Sequence, residues 1–169
     1  MAPTISRLTS LGISVLGHIG LTPQRAHSLG GFRVQGKTLT SAQKLLSDAL
    51  ALQDAGCFAI VLEAVPEEVA KLITNELEIP TIGIGAGSGT SGQVLVQVDM
   101  LGYYPDGRFM PKFVKHYGEM FIAAKGGIEK YKKEVRGGQY PAAEHTYPMS
   151  KEELEAFKTF MKERRGEKQ

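Results

Sequence analysis

The sequence predicts an α/β fold built on a parallel sheet. Residues 58–62 are all apolar and include two β-branched residues, which is typical of a strand covered on both faces. Predicted strands and helices then alternate along the chain, with no succession of strands alone, and this order favours a parallel arrangement. Since no segment has the composition of a linker, we expect residues 1–169 to form a single domain.

Two helices should flank this strand. Thr40 or Ser41 is expected to cap the first helix, whose apolar residues recur at helical spacing, and Gly56 should end it. Pro66 suits the first turn of the second helix. Each strand should therefore alternate with a helix that covers the sheet.

Three further strands are predicted, at 13–19, 81–85 and 93–98. A long polar loop should follow the first of them, over 24–37. Only seven residues separate Gly85 from Gln93, too few for a helical crossover between parallel strands. Either these residues form a single tight helical turn or one of the two strands is not a strand.

The segment GSGTSG at 87–92 matches the pattern G-x-G-x-x-G. A dinucleotide site needs a helix directly after this pattern, so that the pyrophosphate meets the helix N-terminus. The residues that follow are instead typical of a strand. We therefore expect the glycine-rich loop to pack closely beneath a ligand rather than to bind a nucleotide.

The C-terminal part should be helical. Residues 111–135 have a helical pattern, with a weak point at Gly126 and Gly127. The sequence SKEE at 150–153 is a capping box that should start a last amphipathic helix. We assign residues 141–169 to a C-terminal loop and this helix.

Composition excludes several classes of function. Hydrophobic residues make up 42% and charged residues 22%, as in ordinary globular proteins, and a net charge of +2 gives no reason to expect nucleic acid or an anionic membrane as a partner. The single cysteine, Cys57, excludes an internal disulfide and fits a reducing compartment. We expect an intracellular protein without a signal peptide or membrane span.

Three side chains that carry chemistry follow predicted strands. Glu63 ends the strand at 58–63, His18 lies near the end of the first strand, and Asp99 follows the strand at 93–98. The carboxyl ends of parallel strands carry the active sites of α/β barrels. Partial desolvation should raise the pKa of Glu63 and suit it to general-base catalysis, although a surface salt bridge explains its position equally well. His27, His116 and His145 are expected to be structural.

Six linked motifs identify a resemblance to a known family. They are GHIGLTPQ at 17–24, GGFRVQG at 30–36, LEAVP at 62–66, IPTIGIGAG at 79–87, GQVLV at 92–96 and DMLG at 99–102. In this order and at these intervals they closely resemble ketopantoate hydroxymethyltransferases, in a form similar to the eukaryotic or fungal branch. The resemblance covers residues 1–140.

The resemblance implies a fold and an activity. Members of this family are (βα)8 barrels that bind Mg²⁺, form large rings and transfer a hydroxymethyl group from 5,10-methylenetetrahydrofolate to 3-methyl-2-oxobutanoate. By resemblance, Glu63 matches the base that removes the C3 proton of the keto acid, and His18 matches a residue that contacts the substrate. The compartment would be the cytoplasm or the mitochondrion.

The chain also departs from the family pattern. By resemblance it supplies the last four βα units, the C-terminal half of the barrel, so we expect an N-terminally truncated chain with no metal ligand of its own. Barrel-facing residues such as Val15, Ile60 and Ile82 would then lack partners. The alternatives are a non-catalytic half-barrel that assembles with a full-length partner and a lyase or mutase of a related barrel superfamily, against which the motif at 17–24 argues.

Overall fold

The computed structural model describes residues 1–24, 33–105 and 107–166 and divides into two compact units, Met1–Phe121 and Ile122–Gln169. The first unit contains α1 (Ala2–Ser10), β1 (Leu16–Gly20), α2 (Leu39–Asp54), β2 (Ala59–Glu63), α3 (Glu67–Glu76), β3 (Thr81–Ile84), β4 (Gly92–Gln93) and α4 (Gln97–Met100). The second unit holds most of α5 (Met120–Arg136), a short 3-10 helix (Ala143–His145) and α6 (Lys151–Gly166). Within the described ranges, no helix is long and apolar enough to cross a membrane.

The four strands form one sheet in the order β1-β2-β3-β4, and every neighbouring pair is parallel. Leu16 of β1 lies opposite Ala59 of β2, and Ile60 of β2 lies opposite Thr81 of β3. The predicted α/β class is confirmed. All four strands therefore present their carboxyl ends at one edge, which is where Glu63 lies.

One face of the sheet packs against α2 and α3. Ile60 and Leu62 are fully buried there. Their partners on the helices are Leu45, Ala49, Leu52, Ala70 and Ile73. Because side chains alternate along a strand, Val61 and Glu63 lie on the opposite face. The expectation that Val15 and Ile60 face a barrel interior is wrong, since Ile60 belongs to the core beneath the helices and Val15 packs against that core.

Helix α1 was not anticipated from the sequence. Its residues, rich in Ser and Thr, have little intrinsic helix preference. Tertiary contacts stabilise it instead, since Ile5 is buried in the core and the hydroxyl of Thr9 donates to the carbonyl of Ala55 at 2.7 Å. Local pattern could not reveal a helix that depends on these distant partners.

The helix caps differ slightly from the prediction. Thr38, rather than Thr40 or Ser41, is the N-cap of α2, and Ser41 completes a reciprocal capping box three residues later. Pro66 is the N-cap of α3 and precedes its first turn. Gly56 follows the end of α2 with a φ of 89°, as expected for a glycine stop.

The predicted strand at 93–98 is present only at its first residue, and the prediction is wrong for 94–98. Only Gly92 and Gln93 pair with β3, and α4 follows from Gln97. The apolar residues of this segment that suggested a strand, Val94, Val96 and Val98, are exposed. The seven residues between Gly85 and Gln93 are enough to connect the two strands without a helix, because β4 is only two residues long and pairs with Ile82 and Gly83 near the end of β3.

Helix α5 begins at Met120, so the predicted helical segment at 111–119 is not helical. Gly126 and Gly127 lie within α5 without interrupting it. The hydroxyl of Ser150 accepts a hydrogen bond from the Glu153 N–H at 3.3 Å, as an N-cap of α6 should.

Candidate active site

His18 and Glu63 meet on the sheet face opposite the helices. Glu63 lies opposite Gly20 in the register between β1 and β2, so His18 is its diagonal neighbour two residues back. The His18 Nε2 lies 3.0 Å from the Glu63 Oε2. The side chains are 36% and 14% exposed, respectively. The structure thus brings together the two residues to which the sequence assigned chemistry.

The turn after β1 is closed onto β2 at Gly20. Gly20 has a φ of 87°, and a Cβ at this position would collide with the carbonyl oxygen of Glu63. This close approach lets the N–H of Leu21 donate to that carbonyl at 2.8 Å. The carbonyl of Leu21 in turn lies 2.9 Å from the His18 Nε2. Gly20 is therefore required by both its backbone conformation and its packing.

These contacts assign the proton on the His18 ring. A carbonyl oxygen only accepts hydrogen bonds, so the 2.9 Å contact with Leu21 requires an N–H at Nε2. The same N–H faces the Glu63 carboxylate. His18 therefore has one N–H that donates to the Leu21 carbonyl and is shared with the nearby Oε2 of Glu63, and in the neutral ring Nδ1 carries the lone pair.

Burial raises the pKa of Glu63 above its ordinary value, as the sequence predicted. Desolvation is the largest cause, because it penalises the charged form of the carboxyl. The charge and hydrogen bond of His18 act in the opposite direction, and desolvation outweighs them. A carboxylate with a raised pKa is a stronger base once it is ionised, which suits it to accept a proton from carbon.

Ala64, directly after Glu63, has a φ of 50°, a backbone conformation that residues other than glycine rarely adopt. Its N–H donates to the carbonyl of Ile84 at 2.9 Å, and its own carbonyl accepts from the Gln35 N–H at 2.8 Å. Strain of this kind is typical of functional sites. The left-handed backbone of Ala64 could not be predicted from the sequence, because alanine gives no signal of this conformation.

Hydrogen bonds to side chains of the neighbouring elements α3 and β4 hold the glycine-rich loop at 85–91 in place. Glu67 Oε1 accepts from both the N–H and the hydroxyl of Ser88, at 3.3 and 3.2 Å. The amide of Gln93 donates to the carbonyl of Gly87 and to the hydroxyl of Thr90, both at 2.8 Å. No helix starts directly after the loop, so the nucleotide interpretation finds no support in this geometry.

The remaining candidates do not join this site. Asp99 lies within α4 and not at a strand end, which corrects the expectation from the sequence. Cys57 is buried in the core, where desolvation raises its pKa. His145 accepts the N–H of Ala142 in a local turn, and His27 lies outside the described residues.

The described residues do not form a metal centre by themselves. Over 1–24, 33–105 and 107–166, no group of three or more His, Cys, Asp or Glu side chains is placed to hold a metal ion. Mg²⁺ prefers oxygen ligands in octahedral order. At the site itself, Glu63 is the one carboxylate among the described residues, and it faces a ring N–H, which is a donor and not a ligand.

Comparison with known proteins gives a consistent result. The family model described as ketopantoate hydroxymethyltransferase matches residues 1–143. A 3-methyl-2-oxobutanoate hydroxymethyltransferase of Emericella nidulans is 60% identical over 168 residues, which cover 99% of this chain and 48% of that protein. Proteins of the same name from Heliobacterium modesticaldum and Nitratidesulfovibrio vulgaris are 55% and 52% identical, covering 90% and 92% of this chain and 54% and 50% of their own lengths.

The chain spans about half the length of the curated relatives it matches, and in the Emericella nidulans protein the match is to the C-terminal half. A parallel four-stranded sheet is consistent with part of the barrel that the sequence resemblance implied. The family match covers most of the chain, including β1 to β4 and the His18–Glu63 pair. This chain therefore belongs to the ketopantoate hydroxymethyltransferase family.

Proposed function

We propose that this chain supplies the proton-abstracting half of an enzyme that hydroxymethylates 3-methyl-2-oxobutanoate to 2-dehydropantoate, with 5,10-methylenetetrahydrofolate as the one-carbon donor. The observation that carries the proposal is the Glu63 carboxyl, which has a raised pKa, ends a parallel strand and lies 3.0 Å from a histidine donor. The names of the relatives support the choice of keto acid.

The proposed reaction needs a base to remove the C3 proton of the keto acid. The C3–H of the keto acid is acidified by the adjacent 2-oxo group, and Glu63 would take this proton to leave an enolate. Water would break the two carbon–nitrogen bonds of the folate methylene, which releases tetrahydrofolate and leaves the one-carbon unit at the oxidation level of formaldehyde. The enolate carbon would then add to the carbonyl of this unit, and the resulting alkoxide would take the proton back from Glu63 to become the hydroxyl group. His18 would contact the keto acid beside Glu63.

The resemblance also implies Mg²⁺ as cofactor. The residues described do not fit it alone, since they include no cluster of potential ligands. We therefore place no metal ligand in this chain and assign its residues only to proton transfer and substrate contact. The ligands would come from the part of the barrel that the relatives have outside the matched region.

The assembly is part of the proposal. Residues 1–140 would form four βα units of a barrel, in a single domain with the C-terminal helix, and the complete enzyme would be a homo-oligomer. The compartment we propose is the cytoplasm or mitochondrion. The alternative is a non-catalytic half-barrel that assembles with a full-length partner.

A hybrid enzyme tests the function. It joins the N-terminal half of the Emericella nidulans protein to residues 1–169 of this chain, in place of the segment that is 60% identical. We expect Mg²⁺-dependent formation of 2-dehydropantoate from the keto acid and 5,10-methylenetetrahydrofolate. The parent Emericella nidulans protein is the positive control. A hybrid that unfolds cooperatively but makes no product would refute the proposal and favour the non-catalytic half-barrel.

A further inference from the structure

We infer that His18 is a positioning residue for Glu63: its Nε2–H, anchored on the Leu21 carbonyl, holds Oε2 and leaves Oε1 to receive the proton of the substrate. This inference rests on the proposed function and adds to it a distinct role for each oxygen of the carboxylate and for each nitrogen of the ring.

The His18 Nε2 is held by the Leu21 carbonyl independently of Glu63. The Leu21 carbonyl, 2.9 Å away, would hold the ring N–H in place even without the carboxylate. Leu21 is itself buried, and its N–H is bonded to the Glu63 backbone at 2.8 Å. The donor is therefore fixed relative to the backbone of the residue whose side chain it orients.

The second step concerns the carboxylate. The final torsion of a glutamate is broad and roughly two-fold, so its two oxygens exchange places unless one of them is held. The Nε2–H that donates to Leu21 also faces the carboxylate, where Oε2 lies 3.0 Å from Nε2, and the charge of the ionised oxygen strengthens this shared contact. Oε1 is the carboxylate oxygen that is not paired with His18, which leaves it as the proton acceptor.

The third step separates the two ring nitrogens. Nε2 is occupied by Leu21 and Glu63, so Nδ1 is the ring atom that remains for a substrate contact. Glutamine and asparagine can test this division. The glutamine amide reaches about as far as Nε2 and keeps a donor there, whereas the shorter asparagine amide reaches only the position of Nδ1.

The test compares His18→Gln with His18→Asn in the hybrid enzyme. We expect His18→Gln to keep kcat within about tenfold of the unchanged hybrid, because it retains the donor to Glu63. His18→Asn should lower kcat about 10- to 100-fold, the value of one charge-assisted hydrogen bond, with a smaller change in the KM for the keto acid. A substrate contact alone would produce the opposite pattern, with KM rising most in His18→Gln.

The pH profile gives a readout that a merely structural role would not move. Among the described residues, His18 is the titratable group whose charge and hydrogen bond lower the pKa of Glu63. Losing this donor should move the acidic limb of kcat/KM to higher pH in His18→Asn, and less so in His18→Gln. Equal profiles for the two variants would overturn the inference.

A second measurement separates this inference from the proposed function. Carbon-13 NMR of the Glu63 carboxyl in the 169-residue chain reports its pKa without any turnover. We expect the pKa to rise in the order unchanged chain, His18→Gln, His18→Asn. An inactive hybrid with this order intact would count against the function alone, whereas an active hybrid with no difference between the variants would count against the positioning role.

Discussion

Replacement of Glu63 by glutamine should remove the base and little else. Glutamine has the same length as glutamate. Its amide oxygen can still accept from the His18 Nε2–H, since Nε2 lies 3.0 Å from the position of Oε2. The site should therefore keep its shape and its affinity for the keto acid. An amide cannot take up the C3 proton, however, so the step that needs a base should slow.

The expected loss is about 10²- to 10⁴-fold in rate, the usual contribution of a positioned general base, which corresponds to about 3 to 5 kcal/mol of transition-state stabilisation. The assay is exchange of the C3 proton of 3-methyl-2-oxobutanoate in D₂O, followed by proton NMR with the hybrid enzyme, because exchange isolates proton abstraction from the later steps. Glu68→Gln, which changes an exposed carboxylate on α3, is the matched control. Near-normal exchange in Glu63→Gln would refute the assignment.

The same substitution should change how stability depends on pH. The raised pKa of Glu63 means that the folded chain binds a proton that the unfolded chain has already lost. Stability from this group is thus fully present below its ordinary value of 4.5 and is lost as the pH rises through the folded pKa. Glu63→Gln should abolish this loss, so urea unfolding at pH 4 and pH 8 should show a smaller pH dependence than in the unchanged chain. An unaltered dependence would mean that Glu63 is not desolvated.

Three further outcomes are expected. His18→Ala in the hybrid enzyme should weaken keto-acid binding while the affinity for Mg²⁺ changes little; a parallel fall in Mg²⁺ affinity, measured by titration calorimetry, would make His18 a metal ligand instead. The 169-residue chain alone should show little or no Mg²⁺-dependent turnover and should self-associate in sedimentation experiments, and robust turnover by a monomer would contradict this. Gly20→Ala should cost more than about 2 kcal/mol in urea unfolding, because strain at positive φ adds to a collision with the Glu63 carbonyl. Gly12→Ala is the matched control, since Gly12 has a φ of 80° but open space around it, and equal losses would show that packing at Gly20 contributes nothing.

Local pattern was sufficient where burial and chain direction agree. The apolar run before Glu63 predicted β2, since continuous apolar sequence is typical of strands in a parallel sheet, and the alternation of strands and helices predicted parallel pairing. Because parallel strands have their carboxyl ends at the same edge, the sequence also predicted that His18 and Glu63 lie at one edge of the sheet. Motif order gave the family.

Local pattern failed where a partner decides the conformation. The valines at 94, 96 and 98 have high β-preference, yet β4 stops at Gln93 because the pairing with β3 ends there. Helix α1 needed the distant Ala55 carbonyl, and it could not be anticipated from residues with weak helix preference.

The sequence by itself therefore determined the fold class and the family, and it indicated the two residues that we propose carry the chemistry, because these depend on composition and order along the chain. Only the tertiary structure decided how those two residues work together. The turn at Gly20, the left-handed backbone of Ala64 and the shared N–H of His18 depend on contacts between β1, β2 and β3. Such contacts join residues far apart in sequence, so they exist only once the sheet has formed.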